Sequence, residues 1–296
     1  MIDPFFAPIP ALQAWSEPLC QYLNLKTLPL HIHEILAAFL LYHSIFEYIA
    51  PPLSSFSFRR YSKLSDEARI RWNMNIVSFV QSVLISFMAI YVIANDNERR
   101  NMNLEERMWG YTGAAGLVQA LGTGYFLFDF VIMIRYLKIF GLPMLAHAVS
   151  CLVTYTIGFR PVCNYYGCVF LLYELSTPFL NIHWFFDKLG MTGSKAQLYN
   201  GLVLLGTFFL ARLVWGMFAT VNIYSDVWKI FHIRNTPKTV DNNELLKYGY
   251  ERSFPDWLII LYMGGHLTLN TLNVYWFNKM IDAVKKRFSK NPEKKL

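Results

Sequence analysis

The sequence predicts an all-α polytopic membrane protein, a bundle of about seven transmembrane helices. Hydrophobic residues make up 54% of the 296 residues and aromatic residues 17%, with a mean hydropathy of +0.28, more than one soluble core needs. The apolar residues gather into runs close to the ~20 residues that a helix needs to cross ~30 Å of hydrocarbon, separated by short charged loops. Most runs lack period-2 alternation, so a membrane barrel would turn apolar side chains into its lumen at every second position.

The expected spans are residues 28–50, 74–93, 114–134, 140–159, 162–180, 198–221 and 257–277. Residues 1–27 carry prolines and acids that interrupt a helix, and they lack the basic stretch and apolar run of a cleavable signal peptide. The first span therefore acts as the targeting signal. Pro51-Pro52 ends that span, Gly141-Leu142-Pro143 turns the chain between spans three and four, and Phe159-Arg160-Pro161 does so between spans four and five. The longest polar stretches, 51–72, 95–107 and 225–256, are too short for a soluble domain. One membrane domain over 65–286 is expected, preceded by a lumenal N-terminus, the first span and the start of a cytosolic loop (1–64), and followed by a basic cytosolic tail (287–296).

Orientation follows from Lys and Arg. Loops one, three and five and the C-terminal tail hold 16 of them, the opposite loops 10, and Arg212 falls inside a span. The richer side is expected to be cytosolic. The formal charge of +7 then reflects juxtamembrane basics facing anionic headgroups, and no nucleic-acid motif is present. The four cysteines, Cys20, Cys151, Cys163 and Cys168, have neither C-x-x-C spacing nor a paired lumenal placement, which suits apolar packing.

Depth makes the polar residues informative. Asp129, His147 and Glu174 come from three separate spans, each roughly 8–11 Å inside the cytosolic edge at 1.5 Å per residue, with Asn273 at roughly 6 Å. Glu174, Thr177 and Asn181 form one polar stripe, and Tyr262, His266, Asn270 and Asn273 another. Polar stripes at membrane depth face protein or water. The amides and Thr177 equally suit interhelical hydrogen bonding, whereas a lone carboxylate there costs a few kcal/mol unless paired or protonated. Arg212 is a candidate partner for Glu174, its long stem also able to snorkel toward headgroups. His183 and Asp187 suit an interfacial cap. His31, His33 and Glu34 open span one, but i and i+2 do not share a helical face, and no metal site is expected. His43 and Glu47 share a face without a third ligand.

Tyr173-Glu174-Leu175-Ser176-Thr177-Pro178-Phe179-Leu180-Asn181 with Trp184-Phe185-Phe186 resembles the E-L-S-[ST]-P-F-[LV]-N-x-x-W-F-F stretch of TLC-domain proteins (TRAM, Lag1, CLN8 homology), most closely the TMEM56-like branch. Gly124-Tyr125-Phe126-Leu127-Phe128-Asp129, Met144-Leu145-Ala146-His147, Asn200-Gly201 with Phe209-x-x-Arg212, and Asn273-x-x-Trp276 extend the resemblance from about 65 to 286. It implies a TLC fold with a central polar or lipid cavity, in an endoplasmic-reticulum-type membrane. Ceramide synthases of this superfamily carry a His-His pair and a later H-D-x-x-D motif. Here the second His is Ala148, H-D is Tyr173-Glu174 and the second Asp is Thr177, which disfavours ceramide synthesis.

Two functions stay open. One is acyl transfer to or between membrane lipids, with His147 as general base or nucleophile and Glu174 or Asp129 orienting it. The other is non-catalytic lipid binding or lipid homeostasis, in which the cavity holds an acyl chain or phospholipid; Thr177, Asn181, Arg212, His266, Asn270 and Asn273 are lipid-binding candidates in either case. Fold analogy alone adds cargo sorting or a translocon-associated role. No cofactor is expected beyond acyl-CoA as a co-substrate.

Overall fold

The computed structural model describes residues 1–233, 243–249 and 255–289, except the side chains of 233 and 287–289. Residues 290–296 of the basic tail assigned to 287–296, and part of the polar stretch 225–256, thus lie outside the described residues. Among those described there is no strand. The chain is an all-α membrane bundle.

Helix α1 spans Pro10–Leu23, which corrects the expectation that proline keeps residues 1–27 from forming a helix. Pro10 sits at its start, where a missing N–H costs nothing. Helix α2 runs over Leu28–Ser57, so Pro51-Pro52 do not end it. A π-helical turn at Ile45–Ile49 precedes them, and both prolines occupy the first positions of the renewed helix Ala50–Ser57. Helix α3 covers Asp66–Asn95; Ser65 caps it by accepting from the Ala68 N–H, and Asp66 and Glu67 face its positive end. Short α4 (Leu104–Trp109) opens with a capping box between Asn103 and Glu106.

Helix α5 is Gly113–Arg135 and α6 is Leu142–Ile157. Helix α7 is a composite of Asn164–Leu171, a 3₁₀ turn Leu172–Ser176 and Thr177–Lys188. Helix α8 joins Lys195–Phe208 to Trp215–Ile233 through a π turn at Phe209–Val214. Helix α9 is Asp256–Ser289. Among the described residues, four stretches are long and apolar enough to cross a membrane unaided, namely α2, α3, α4 with α5, and α8. Helix α6, at 16 residues, reaches only about 24 Å, and α7 is broken, so both depend on their neighbours. Exposed Phe87, Tyr91, Leu210, Phe218 and Ile260 give the bundle an apolar exterior suited to lipid.

Side-chain and backbone contacts fix an up-and-down order. At one end Arg135 bonds Glu47 at 2.6 Å, Arg71 donates to the Ile139 carbonyl, and Trp72 packs on Trp184 and Phe185. At the other, the Thr27 N–H reaches the Phe159 carbonyl at 3.1 Å and that of Cys163 reaches Met108 at 2.7 Å.

Helix α5 is the axis, packed against α2, α3, α6 and α7. Its first half, Gly113-Ala114-Ala115-Gly116 through Gly124, has the small side chains that let helix backbones approach. A β-carbon at Gly124 would stand 2.5 Å from the Ile35 carbonyl oxygen and 2.7 Å from the Ala38 β-carbon. Gly124→Val is therefore expected to cost about 1–3 kcal/mol by forcing α2 away, read as a lower unfolding temperature of the detergent-solubilised protein; an unchanged temperature would refute this close approach.

Candidate functional site

Pro178 has no N–H, so α7 cannot run through it with regular bonding. The turn Leu172–Ser176 tightens instead, and the Thr177 N–H bonds Glu174 rather than Tyr173. The freed Tyr173 carbonyl accepts from Arg212 Nε at 3.0 Å. Arg212, 7% exposed and in the π turn of α8, also donates to Ser176 Oγ at 3.1 Å, Asn273 Oδ1 at 3.2 Å and Thr177 Oγ1 at 3.1 Å. Its Nη2 stands 3.8 Å from Glu174 Oε1, and its guanidinium lies 5.0 Å from the Phe208 ring centroid. The side chain does not snorkel: one cation ties α7, α8 and α9 together.

Below this clamp is a cavity of about 600 Å³ between α3, α5, α6, α7, α8 and α9, lined by apolar side chains such as Met133, Met144, Leu205 and Phe208 and by Asp129, His147, Glu174, Thr177, Asn181 and Arg212. Its outer wall includes Arg71, His183 and Lys279. A narrower crevice of about 70 Å³ continues above, along Tyr155, Phe170, Tyr173, His266 and Asn273. His147, Glu174 and Arg212 line both spaces and so form the partition between them.

The three titratable residues of the sequence reading share this cavity but are not bonded to one another. The ring nitrogens of His147 lie 3.8 and 3.9 Å from Cys151 Sγ, and its ring meets Trp276 edge-on at 5.6 Å. Among the described residues no carboxylate stands within ion-pair distance of it. Glu174 faces Arg212, so neither Glu174 nor Asp129, the carboxylates expected to orient His147, is paired with it directly. Asp129, 3% exposed, lies on the α5 wall.

The remaining candidates divide between the two spaces. Asn181 Nδ2 donates to Ser78 Oγ at 3.2 Å, bridging α7 and α3. Tyr173 donates to Asn270 Oδ1 at 3.3 Å, and Asn270 donates to Thr220 at 3.3 Å. The Nδ2 of Asn273 is buried without a partner, and His266 packs on Phe170 at 4.3 Å. Asn270 therefore ties α9 to α7 and α8, Asn181 and Thr177 line the lower cavity, and His266 and Asn273 line the crevice. Cys151 and Trp276 beside His147 were not among the expected site residues: Cys151 carried only an apolar signal, and Trp276 entered only as part of the family resemblance. Nor were Arg71 and Lys279 at the cavity wall, whose charges were counted for orientation alone. His183 lines the cavity within a helix that continues to Lys188, while Asp187 accepts from Thr192 at 2.6 Å.

The TLC domain profile (TRAM_LAG1_CLN8) matches residues 71–282. The chain is 36% identical to a TLC domain-containing protein of Schizosaccharomyces pombe, over 94% of this chain and 87% of that one. It is 29% identical to Topoisomerase I damage affected protein 4 of Saccharomyces cerevisiae, over 90% and 88%. With TLC domain-containing protein 4 of Homo sapiens the identity is 31% over 52% of this chain and 58% of the relative.

Proposed function

Because the chain belongs to the TLC-domain family, membrane proteins linked to lipid metabolism and homeostasis, we propose that it acts on membrane lipids by drawing an acyl chain into its cavity and presenting the carbonyl to His147. The observation that carries this is the cavity itself: about 600 Å³, within the range of small-molecule sites, with largely apolar walls and its ionisable groups at the partition, at the rim and, as Asp129, on the α5 wall.

Acyl transfer to or between lipids is the chemistry this partition suits. A neutral His147 can take the proton of an acceptor hydroxyl as it attacks the acyl carbonyl, and return that proton to the thiolate or alkoxide as its bond to the carbonyl carbon breaks. Alternatively, the imidazole attacks first: its N–C bond forms as the bond to the leaving thiolate or alkoxide breaks, the imidazole proton leaves with that group, and the acceptor hydroxyl then displaces the imidazole. Arg71 and Lys279 suit the phosphates of acyl-CoA or a phospholipid at the rim. Under the distribution of 16 basic residues against 10, that rim faces the cytosol, and the membrane is of the endoplasmic-reticulum type.

One observation favours non-catalytic lipid holding: His147 has a thiol and an indole for neighbours instead of an orienting carboxylate. Native mass spectrometry of the protein from lipid nanodiscs tests the shared premise. A co-purifying lipid is expected, and Leu205→Trp, which fills the cavity from α8, should reduce its occupancy about tenfold, or ~1.4 kcal/mol. Equal lipid retention by the two proteins would count against the cavity as the site. Labelled acyl-CoA supplied with candidate acceptors then separates turnover from holding.

A further inference from the structure

At the end of the bundle away from the cavity rim, Asp3, His31 and Glu34 bring one ligand atom each to within 4.8 Å of one another. We propose that this cluster binds a divalent transition-metal ion of the Zn²⁺ type. Spacing alone had set the site aside, because His31 and His33 lie on different faces of α2. The structure uses another pair: His31 and Glu34, at i and i+3, share a face, and the third ligand arrives from the N-terminal segment through Asp3.

Charge balance supports the assignment. Glu34 is fully buried, His31 is 1% exposed and the Asp3 side chain is 24% exposed. Among the described residues, the ion pairs of Asp3 and Glu34 are to histidine alone: His31 Nδ1 lies 2.7 Å from Glu34 Oε2 and 3.5 Å from Asp3 Oδ2, and His33 Nε2 lies 3.7 Å from Glu34 Oε1. Glu34 Oε1 is buried without a hydrogen-bond partner. Among the described residues no Lys or Arg stands within ion-pair distance of these two carboxylates, and a buried uncompensated carboxylate is costly. A divalent cation satisfies both, with an imidazole as its third protein ligand and water in the fourth position. Two ligands of a tetrahedral ion stand roughly 3.3 Å apart, so the 3.5 Å between Asp3 and His31 already fits and Glu34 at 2.7 Å need draw back from His31 only slightly.

The surroundings prepare the histidine. Its Nε2 lies 2.7 Å from Tyr111 Oη, so an Nε2–H donating to that hydroxyl leaves Nδ1 free for metal, the outer-shell bond that orients ligating imidazoles. Gly116 makes room for the ring, since a β-carbon there would overlap it. Asp3 is tied down by the Phe5 N–H at 2.8 Å and, being part-exposed, offers an entry path.

The test uses the full chain in lipid nanodiscs, purified on a tag without histidines, stripped with EDTA and equilibrated with Zn²⁺. Elemental analysis is expected to find about one Zn²⁺ per chain. His31→Ala should abolish binding, and Tyr111→Phe should weaken it about 10–100-fold. His43→Ala, on the same helix but outside the cluster, should retain it. Asp3→Asn, at the edge of the fold, keeps the test valid should Glu34→Gln fail to fold; it too should weaken binding. EDTA should lower the unfolding temperature of the wild type but not of His31→Ala. Binding no greater in wild type than in His31→Ala, or undiminished in both Asp3→Asn and His31→Ala, would overturn the proposal and leave a proton shared between the carboxyls as the charge balance.

Discussion

Arg212→Leu should destabilise the folded bundle by about 3–5 kcal/mol, the scale for removing one partner from a buried charge network. The guanidinium serves Tyr173 O, Ser176 Oγ, Thr177 Oγ1 and Asn273 Oδ1. Leucine would take a donor from each of those acceptors in a nearly dry site, leaving Tyr173 O only the longer bond from Ser176 Oγ at 3.4 Å, and would remove the cation 3.8 Å from Glu174. Buried acceptors deprived of donors bear the full cost of desolvation. Lysine should recover part of the loss, since an ammonium supplies charge but not the planar fork that reaches the 3₁₀ turn and α9 together. Glu174→Gln should cost less than about 1 kcal/mol, because at 3.8 Å the carboxylate adds attraction without a full hydrogen bond. Thermal and denaturant unfolding in detergent would decide the matter; an Arg212→Leu protein as stable as wild type would show that α7, α8 and α9 do not depend on this clamp.

His147→Ala should do the opposite, removing acyl transfer while sparing the fold. A general base or nucleophile contributes at least about 10²-fold to rate. The contacts of His147, a thiol at 3.8 Å and an indole edge at 5.6 Å, are too weak for its loss to cost much more than the ~0.6 kcal/mol of an average intramembrane polar contact. Turnover of labelled acyl-CoA and phospholipid in nanodiscs, with products followed by mass spectrometry, measures the first quantity, and thermal unfolding the second. Undiminished turnover in the variant would eliminate His147 chemistry. A wild type that retains lipid yet turns over no acceptor would establish the holding reading. Restoring a histidine by Ala148→His should not confer ceramide synthesis, since Ala148 is fully buried and Thr177 still replaces the second acid.

The two effects differ because the two residues meet their surroundings differently, and that difference was only partly legible beforehand. Arg212 and Glu174 could be paired from the sequence because each is an ionisable group inside an apolar run, where lipid offers no alternative partner. The freed Tyr173 carbonyl could not be foreseen in the same way: it depends on where the strain introduced by Pro178 is absorbed, and the chain absorbs it in a 3₁₀ turn. Pro51-Pro52 is the converse case, since the chain absorbs them in a π turn and continues the helix. The direct neighbours of His147, Cys151 and Trp276, were not legible because membrane depth fixes height along a helix but not rotation about it.

The sequence by itself determined that this chain is helical, that it belongs in a membrane, roughly where its helices run and which polar residues lie at one depth. Those properties reside in local runs of side chains and in the cost of burying charge, so they can be read residue by residue. Only the tertiary structure decided which neighbour each polar group meets: Arg212 against the α7 turn, His147 against Cys151 and Trp276, and Asp3 against His31 and Glu34 from 28 and 31 residues away. In a membrane the lipid-facing and core-facing sides of a helix are both apolar, so periodicity does not reveal rotation. Close contacts at small residues such as Gly116 and Gly124 set that rotation, and they exist only once the helices have packed.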